Sequence, residues 1–175
     1  MTRLCAALVL TCAALAVAAC GSSGTTGVAV PAIAAAVSFD PCTQVTDTMI
    51  SSLGFLPETK KPYTQRGTTV ESGCSWKDMP TMTRLRLDIG FNAKQIDPYL
   101  KGLGVTNPPE QTIGGRRVDT FDSVASSGTC TLAIDLGSAI VVVATLATPQ
   151  ESGATAKDSC PDAVRIAGAI SPVLP

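Results

Sequence analysis

The chain has 175 residues, with 13 Lys and Arg against 14 Asp and Glu, a formal net charge of −1 and no histidine. Hydrophobic residues make up 45% and charged residues 15%, which is enough apolar material for a core and offers no basic stripe to neutralise phosphates. These figures set aside nucleic acid as a partner and every mechanism that needs an imidazole.

The N-terminus starts with Arg3 and is apolar, except for Thr11, from Leu4 to Val17-Ala18-Ala19-Cys20. The run is too short and too Ala-rich for a membrane span, and small residues precede the cysteine, as in a bacterial lipobox. Residues 1–19 therefore read as a lipoprotein signal peptide and Cys20 as the acylated (palmitate-type) residue of the mature chain. The competing reading, a secretory cut at an Ala-x-Ala site, strands an odd thiol in an oxidising space. Residues 20–37 read as a lipidated flexible linker, Gly/Ser/Thr-rich and then Ala/Val-rich, with a reach of roughly 20 to 25 Å. Ser22, Ser23, Thr25 and Thr26 are read as plain linker rather than sugar acceptors. Residues 38–175 form a single domain.

Within it, Asp40-Pro41 starts a helix that carries Val45, Met49 and Leu53 to a stop at Gly54. A polar, Pro-containing stretch leads to a short strand at Gly73-Cys74-Ser75-Trp76, and Leu85, Leu87, Ile89 and Phe91 alternate with Arg84, Arg86 and Asp88 as a half-buried strand. The arginines are expected to snorkel or to pair with Asp88 or a neighbouring acid. A second helix, capped by Asn92 or starting at Asp97, turns Ile96, Tyr99, Leu100 and Leu103 inward before Gly104. Ile113-Gly114-Gly115-Arg116-Arg117-Val118 reads as a strand with a bulge or tight turn at the glycines. Cys130, Leu132, Ile134 and Leu136 alternate, Gly137-Ser138 turns the chain, and Ala139 to Leu146 is apolar on both faces; this predicts a β-hairpin whose second strand is central. A last helix, capped by Asp158 or Ser159, buries Ala163, Ile166, Ala167 and Ile170 and ends at Pro172. The fold class is α+β: an antiparallel sheet of about five to six strands covered by about three helices, with two disulfides. The two halves are faintly alike, each with a Cys near the start of an alternating strand and a helix at its end.

With Cys5 and Cys12 in the signal and Cys20 on lipid, Cys42, Cys74, Cys130 and Cys160 remain. Exported and widely spaced, they read as two disulfides with three possible pairings; without a CxxC pair or a histidine, no metal site is expected. Cys42 and Cys160 sit in first turns of the terminal helices, and Cys74 and Cys130 near strand starts on the side of Trp76 and Leu132. The expected pairing is therefore Cys42–Cys160 and Cys74–Cys130.

The succession Phe39-Asp40-Pro41-Cys42, Cys74-Ser75-Trp76, Gly114-Gly115-Arg116, Cys130-Thr131-Leu132-Ala133-Ile134 and Cys160-Pro161-Asp162-Ala163, behind a lipobox, resembles an actinobacterial lipoprotein family of unknown function, of the mycobacterial LprB-like type. The resemblance covers roughly Ser38 to Leu174. It implies an α/β/α sandwich similar to the Mog1/PsbP-like folds, placed in the cell envelope of a Gram-positive, high-GC bacterium, and it implies no catalytic residues.

Chemistry-bearing patterns are sparse. There is no GxSxG or SxxK, and the close acidic pairs, Asp119/Asp122 and Asp158/Asp162, are explained by a strand end and a helix cap. A glycosidase-type carboxylate pair distant in the chain is left open by sequence. Arg116 and Arg117 behind two glycines are candidate contacts for an anion, weighed against a turn with solvated arginines. Trp76 is read as core, and Tyr63 and Tyr99 decide nothing. The expectation is a non-enzyme without cofactor, lipid-anchored on the extracytoplasmic face of the cell membrane, a monomeric binding module for an apolar or amphipathic ligand, a lipid, or an envelope-protein partner. The alternative is a structural or accessory subunit of an envelope enzyme or transporter.

Overall fold

A computed structural model describes residues 37–64, 72–80, 85–122, 129–147 and 156–175. Residues 1–19, read as a signal peptide, Cys20, all but the last residue of the stretch 20–37 read as a linker, and Arg84 lie outside the described residues. Within the compact unit Ala35–Pro175 the elements are α1 (Pro41–Gln44), α2 (Asp47–Ser52), β1 (Leu56–Tyr63), β2 (Ser72–Lys77), β3 (Leu85–Asn92), α3 (Ile96–Gly102), β4 (Glu110–Ile113), β5 (Arg116–Asp122), β6 (Thr129–Asp135), β7 (Ile140–Ala147) and α4 (Ala156–Ile170), followed by a 3-10 turn at Ser171–Val173. All seven strands form one antiparallel sheet in the order β1-β2-β3-β7-β6-β5-β4. Two meanders, β1–β3 and β4–β7, thus meet at the β3–β7 seam.

The α+β class stands, with more strands than expected. β1 lies in the stretch read as polar connection, because Pro57, Pro62, Lys60 and Lys61 give it no alternation. An edge strand needs none, and Pro and Lys there discourage pairing with another chain. Its register slips between Leu56 and Lys61. There the Thr59 hydroxyl accepts from Lys77 N at 2.9 Å and donates to Leu56 O at 2.6 Å, so a side chain restores what the ladder loses. The glycine pair is a tight turn between two strands: Gly114 and Gly115 have φ of +58° and +79°, as a two-residue type I′ hairpin requires. A Cβ on Gly114 would also run into the Ser171 hydroxyl. The second hairpin is as expected. Of Gly137 and Ser138 only the glycine has positive φ, at +84°, the II′ pattern, and Gly137 N donates to Asp135 Oδ1 at 2.8 Å.

The first helix is two. Val45 is extended, and the Thr46 hydroxyl accepts from Met49 N at 3.2 Å to cap a new helix, so Ile50 rather than Met49 becomes the fully buried anchor. Asp40 does cap α1, accepting from Cys42 N at 3.0 Å. α3 starts at Ile96, with Asn92 left at the end of β3, because Pro98 is tolerated only in the first turn. α2 and α3 end alike: Gly54 and Gly104 have positive φ, Phe55 N donates to Ile50 O and Val105 N to Leu100 O, which closes a Schellman motif in each. α4 starts earlier than expected, with Pro161 inside it, and buries Ala163, Ile166, Ala167 and Ile170 completely.

Strand alternation divides the sheet into two faces. On the first, Cys74, Trp76, Leu87, Ile89, Val118, Leu132, Ile134, Val141 and Val143 form the main core under α1, α2 and α4. On the second, α3 packs Ile96, Tyr99 and Leu100 on Ala133, Ile140 and Val142 in a smaller cluster. β7 supplies buried residues to both, which is why its sequence is apolar on both faces apart from Thr145.

The disulfides are Cys42–Cys74 and Cys130–Cys160, each with Cα atoms 5.1 Å apart. This corrects the expected pairing. Two disulfides form, but each ties a helix to a strand of its own half. β2 and β6 are separated by β3 and β7, so Cys74 and Cys130 stand three strand spacings apart, about 14 Å, beyond the reach of a disulfide.

Candidate functional site

The β4–β5 hairpin pairs Glu110 with Asp119 and Thr112 with Arg117. Two carboxylates directly opposite repel each other. Arg117, two residues from Asp119 on the same strand and therefore on the same face, compensates: its Nε lies 3.1 Å from Glu110 Oε2 and its Nη2 2.9 Å from Asp119 Oδ2. Its Nη1 is 2.9 Å from Asp97 Oδ1, in the first turn of α3. One guanidinium thus joins three acids from three elements. The acids differ in kind, Asp97 being 74% and Glu110 62% exposed whereas Asp119 is fully buried.

Burial works to lower the Arg117 pKa, but Asp119 and Asp97 outweigh it and the group is held above its ordinary value. For Asp119, burial raises the pKa; Arg117 opposes the shift, and Glu110 and Asp97 add to it. Beyond this ion pair with Arg117, neither Asp119 oxygen has a hydrogen-bond donor among the described residues. A buried carboxylate oxygen in that state is costly.

Asp119 borders a cavity of about 390 Å³ between α3, the loop after it and the β4–β5 hairpin, with Leu100, Val105 and Pro108 as apolar wall and Asp97, Glu110 and Arg117 as polar wall. Tyr99 stacks edge-on against Phe121, centroids 6.3 Å apart, next to this cluster, and burial pushes its phenol up to about 12. A second cavity, about 340 Å³, lies at the end of β1 and β2 beside Asp40, Cys42, Tyr63 and Gly73. The Tyr63 ring occupies the place where a Cβ on Gly73 would stand.

The structure does not bring Arg116 and Arg117 together. Consecutive strand residues face opposite ways: Arg117 enters the acid cluster, while Arg116 Nη2 donates to Pro175 O at 2.6 Å. A joint fork for one anion is therefore not formed. Arg86 does pair with Asp88, at 2.7 Å, where burial raises the Asp88 pKa against the pull of Arg86. Trp76 is fully buried core, as read, and its Nε1 has no hydrogen-bond partner among the described residues. Ser138 is exposed on the hairpin turn, and Asp122 closes β5. Asp162 pairs with Arg165 at 3.0 Å, and the same guanidinium donates to Leu53 O at the end of α2. Sequence reasoning missed Asp97, Glu110 and Leu100 as site residues, because only folding brings them together; the Arg117-x-Asp119 spacing on one strand face was the readable sign. Among the described residues no group of three or more His, Cys, Asp or Glu is arranged to hold a metal ion, and no helix is long and apolar enough to cross a membrane.

A disulfide-tied antiparallel sheet with helices packed on both faces and a mixed polar–apolar cavity under α3 defines the class. The chain belongs to the family described as "Protein of unknown function (DUF3558)", whose model matches residues 15–172. No curated protein and no solved structure matches it.

Proposed function

We propose that this protein is a non-catalytic, LprB-like lipoprotein of an actinobacterial cell envelope, held on the extracytoplasmic face by lipid on Cys20, that works as a monomeric module binding a small amphipathic ligand or an envelope partner. In this reading the layering is of the Mog1/PsbP-like kind. The lipobox and the two disulfides support export to an oxidising compartment. The observation that carries the binding reading is the cavity under α3: Leu100 and Val105 line it together with an ordered cluster of charges around the buried Asp119, the mix of apolar lining and few placed polar groups typical of ligand sites.

The test is native mass spectrometry of the full chain purified from its own envelope, alongside broad esterase, phosphatase, peptidase and glycosidase screens. A copurifying small molecule or subunit, with blank screens, supports the reading. Turnover above background that one substitution at Asp119, Asp135 or Ser138 abolishes overturns it. The anchor is tested separately: Cys20→Ala should release the domain into the medium, and a variant that still partitions with detergent contradicts the lipid assignment.

A further inference from the structure

We infer that the cavity under α3 selects ligands bearing a protonated amine, seated against Asp119. The inference rests on the binding reading above and names the ligand chemistry of that same site. Asp119 is fully buried and ion-paired to Arg117 through Oδ2, and its Oδ1 has no hydrogen-bond donor among the described residues. Asp119 borders the cavity, and a donor that reaches Oδ1 from that side supplies the hydrogen bond it lacks. The charge balance sets the kind of donor. Asp97, Glu110 and Asp119 bring three negative charges to the cavity wall, and Lys101 and Arg117 two positive ones, leaving one negative charge uncompensated. A cationic donor completes that balance, a neutral hydroxyl supplies only the hydrogen bond, and an anion meets net repulsion.

Arg117 sets the access. It is one-third exposed and lies between the buried Asp119 and the exposed Asp97 and Glu110. Those two side chains sit in solvent and follow the guanidinium outward at little cost. Asp119 Oδ2 and Oδ1 then receive the ligand ammonium while Arg117 keeps its outer partners. Leu100 and Val105, which also line the cavity, cover the ligand's apolar part. An amino sugar and a peptide-like molecule both carry this recognised group.

The experiment is an NMR titration of the ¹⁵N-labelled full chain in detergent micelles with glucosamine and with alaninamide, each against its N-acetylated counterpart, and with succinate. Shifts at Val118 to Thr120 and at the Arg117 side chain are expected with the amines, at least tenfold weaker after N-acetylation, and absent with succinate. The relative affinity of the two amines distinguishes the sources. Asp119→Asn should weaken amine binding at least tenfold, whereas Asp97→Asn should do so by no more than about threefold. Equal binding of acetylated and free amines, or succinate binding at Arg117, overturns the amine assignment while leaving the cavity as a binding site. No shift with any probe at tens of millimolar also overturns it, and the copurification result then judges the wider reading independently. Should Asp119→Asn not fold, the comparison of free and acetylated probes on the unaltered chain decides.

Discussion

On one face of the sheet Leu87, Ile89, Leu132, Ile134, Val141 and Val143 are fully buried beneath α1, α2 and α4. On the other, β3 presents Arg86 and Asp88, β6 Thr131, β2 Ser75 and β5 Asp119, and the helix described there, α3, packs on Ala133, Ile140 and Val142. The first face is mainly a matter of stability: apolar surface leaves water, two disulfides pin α1 and α4 to it, and its buried Thr145 hydroxyl is satisfied by Ser159 O at 3.1 Å. The second gathers a buried carboxylate, Asp119, whose oxygens lack hydrogen-bond donors among the described residues, which stability alone does not reward. The lesson of the contrast is that adjacent residues of one strand serve different ends, and it is tested most sharply by changing neighbours.

Leu132→Ala should cost about 3 to 4 kcal/mol, because a fully buried side chain is lost from a packed core. Thr131→Ala, one residue away on the other face, should cost less than about 1.5 kcal/mol. Urea unfolding of both variants measures the difference, and equal losses break the comparison. The disulfides come next. Removing Cys42 and Cys74 together by Ala substitution should lower stability by about 3 kcal/mol, as expected for a loop of this length; non-reducing peptide mapping should recover Cys42–Cys74 and Cys130–Cys160 crosslinks and no others. A smaller loss, about 1 kcal/mol, is expected for Gly104→Ala, whose φ of +72° disfavours a side chain at the end of α3.

The last effect is one of sign. Asp119 and Asp88 have pKa values raised from 3.8 by burial, so above that pH the folded state holds protons that the unfolded state has released. Stability from these groups is therefore greatest at low pH and falls as pH rises through their raised values. Asp119→Asn should flatten that fall relative to the unaltered chain in pH-dependent urea unfolding. A variant with an unchanged slope contradicts the burial argument.

What could be read in advance follows the same division. The β6–β7 hairpin was legible, since a Gly-Ser turn between an alternating strand and one apolar on both faces leaves little choice, and so was the inward face of α4. β1 was not, because an edge strand with two prolines, a glutamate and two lysines carries no period-two pattern; its register is set by pairing with β2. The cysteine count fixed two bonds but not their partners, since pairing depends on strand order, which periodicity does not contain. The site lay further out of reach. Arg117 and Asp119 were individually noted, yet Asp97 arrives from α3 and Glu110 from β4, and only the hairpin register and the seat of α3 bring them to one guanidinium.

The central claim, that one face holds the fold and the other holds a ligand, is tested most directly by native mass spectrometry of three chains purified in parallel from the same envelope: unaltered, Asp119→Asn, and Leu132→Val. The account predicts a bound small molecule on the unaltered chain and on the less stable Leu132→Val, and its loss from Asp119→Asn at an unfolding midpoint no lower than that of Leu132→Val. Retention of the same molecule by Asp119→Asn, or its loss on changing Leu132 alone, would contradict it.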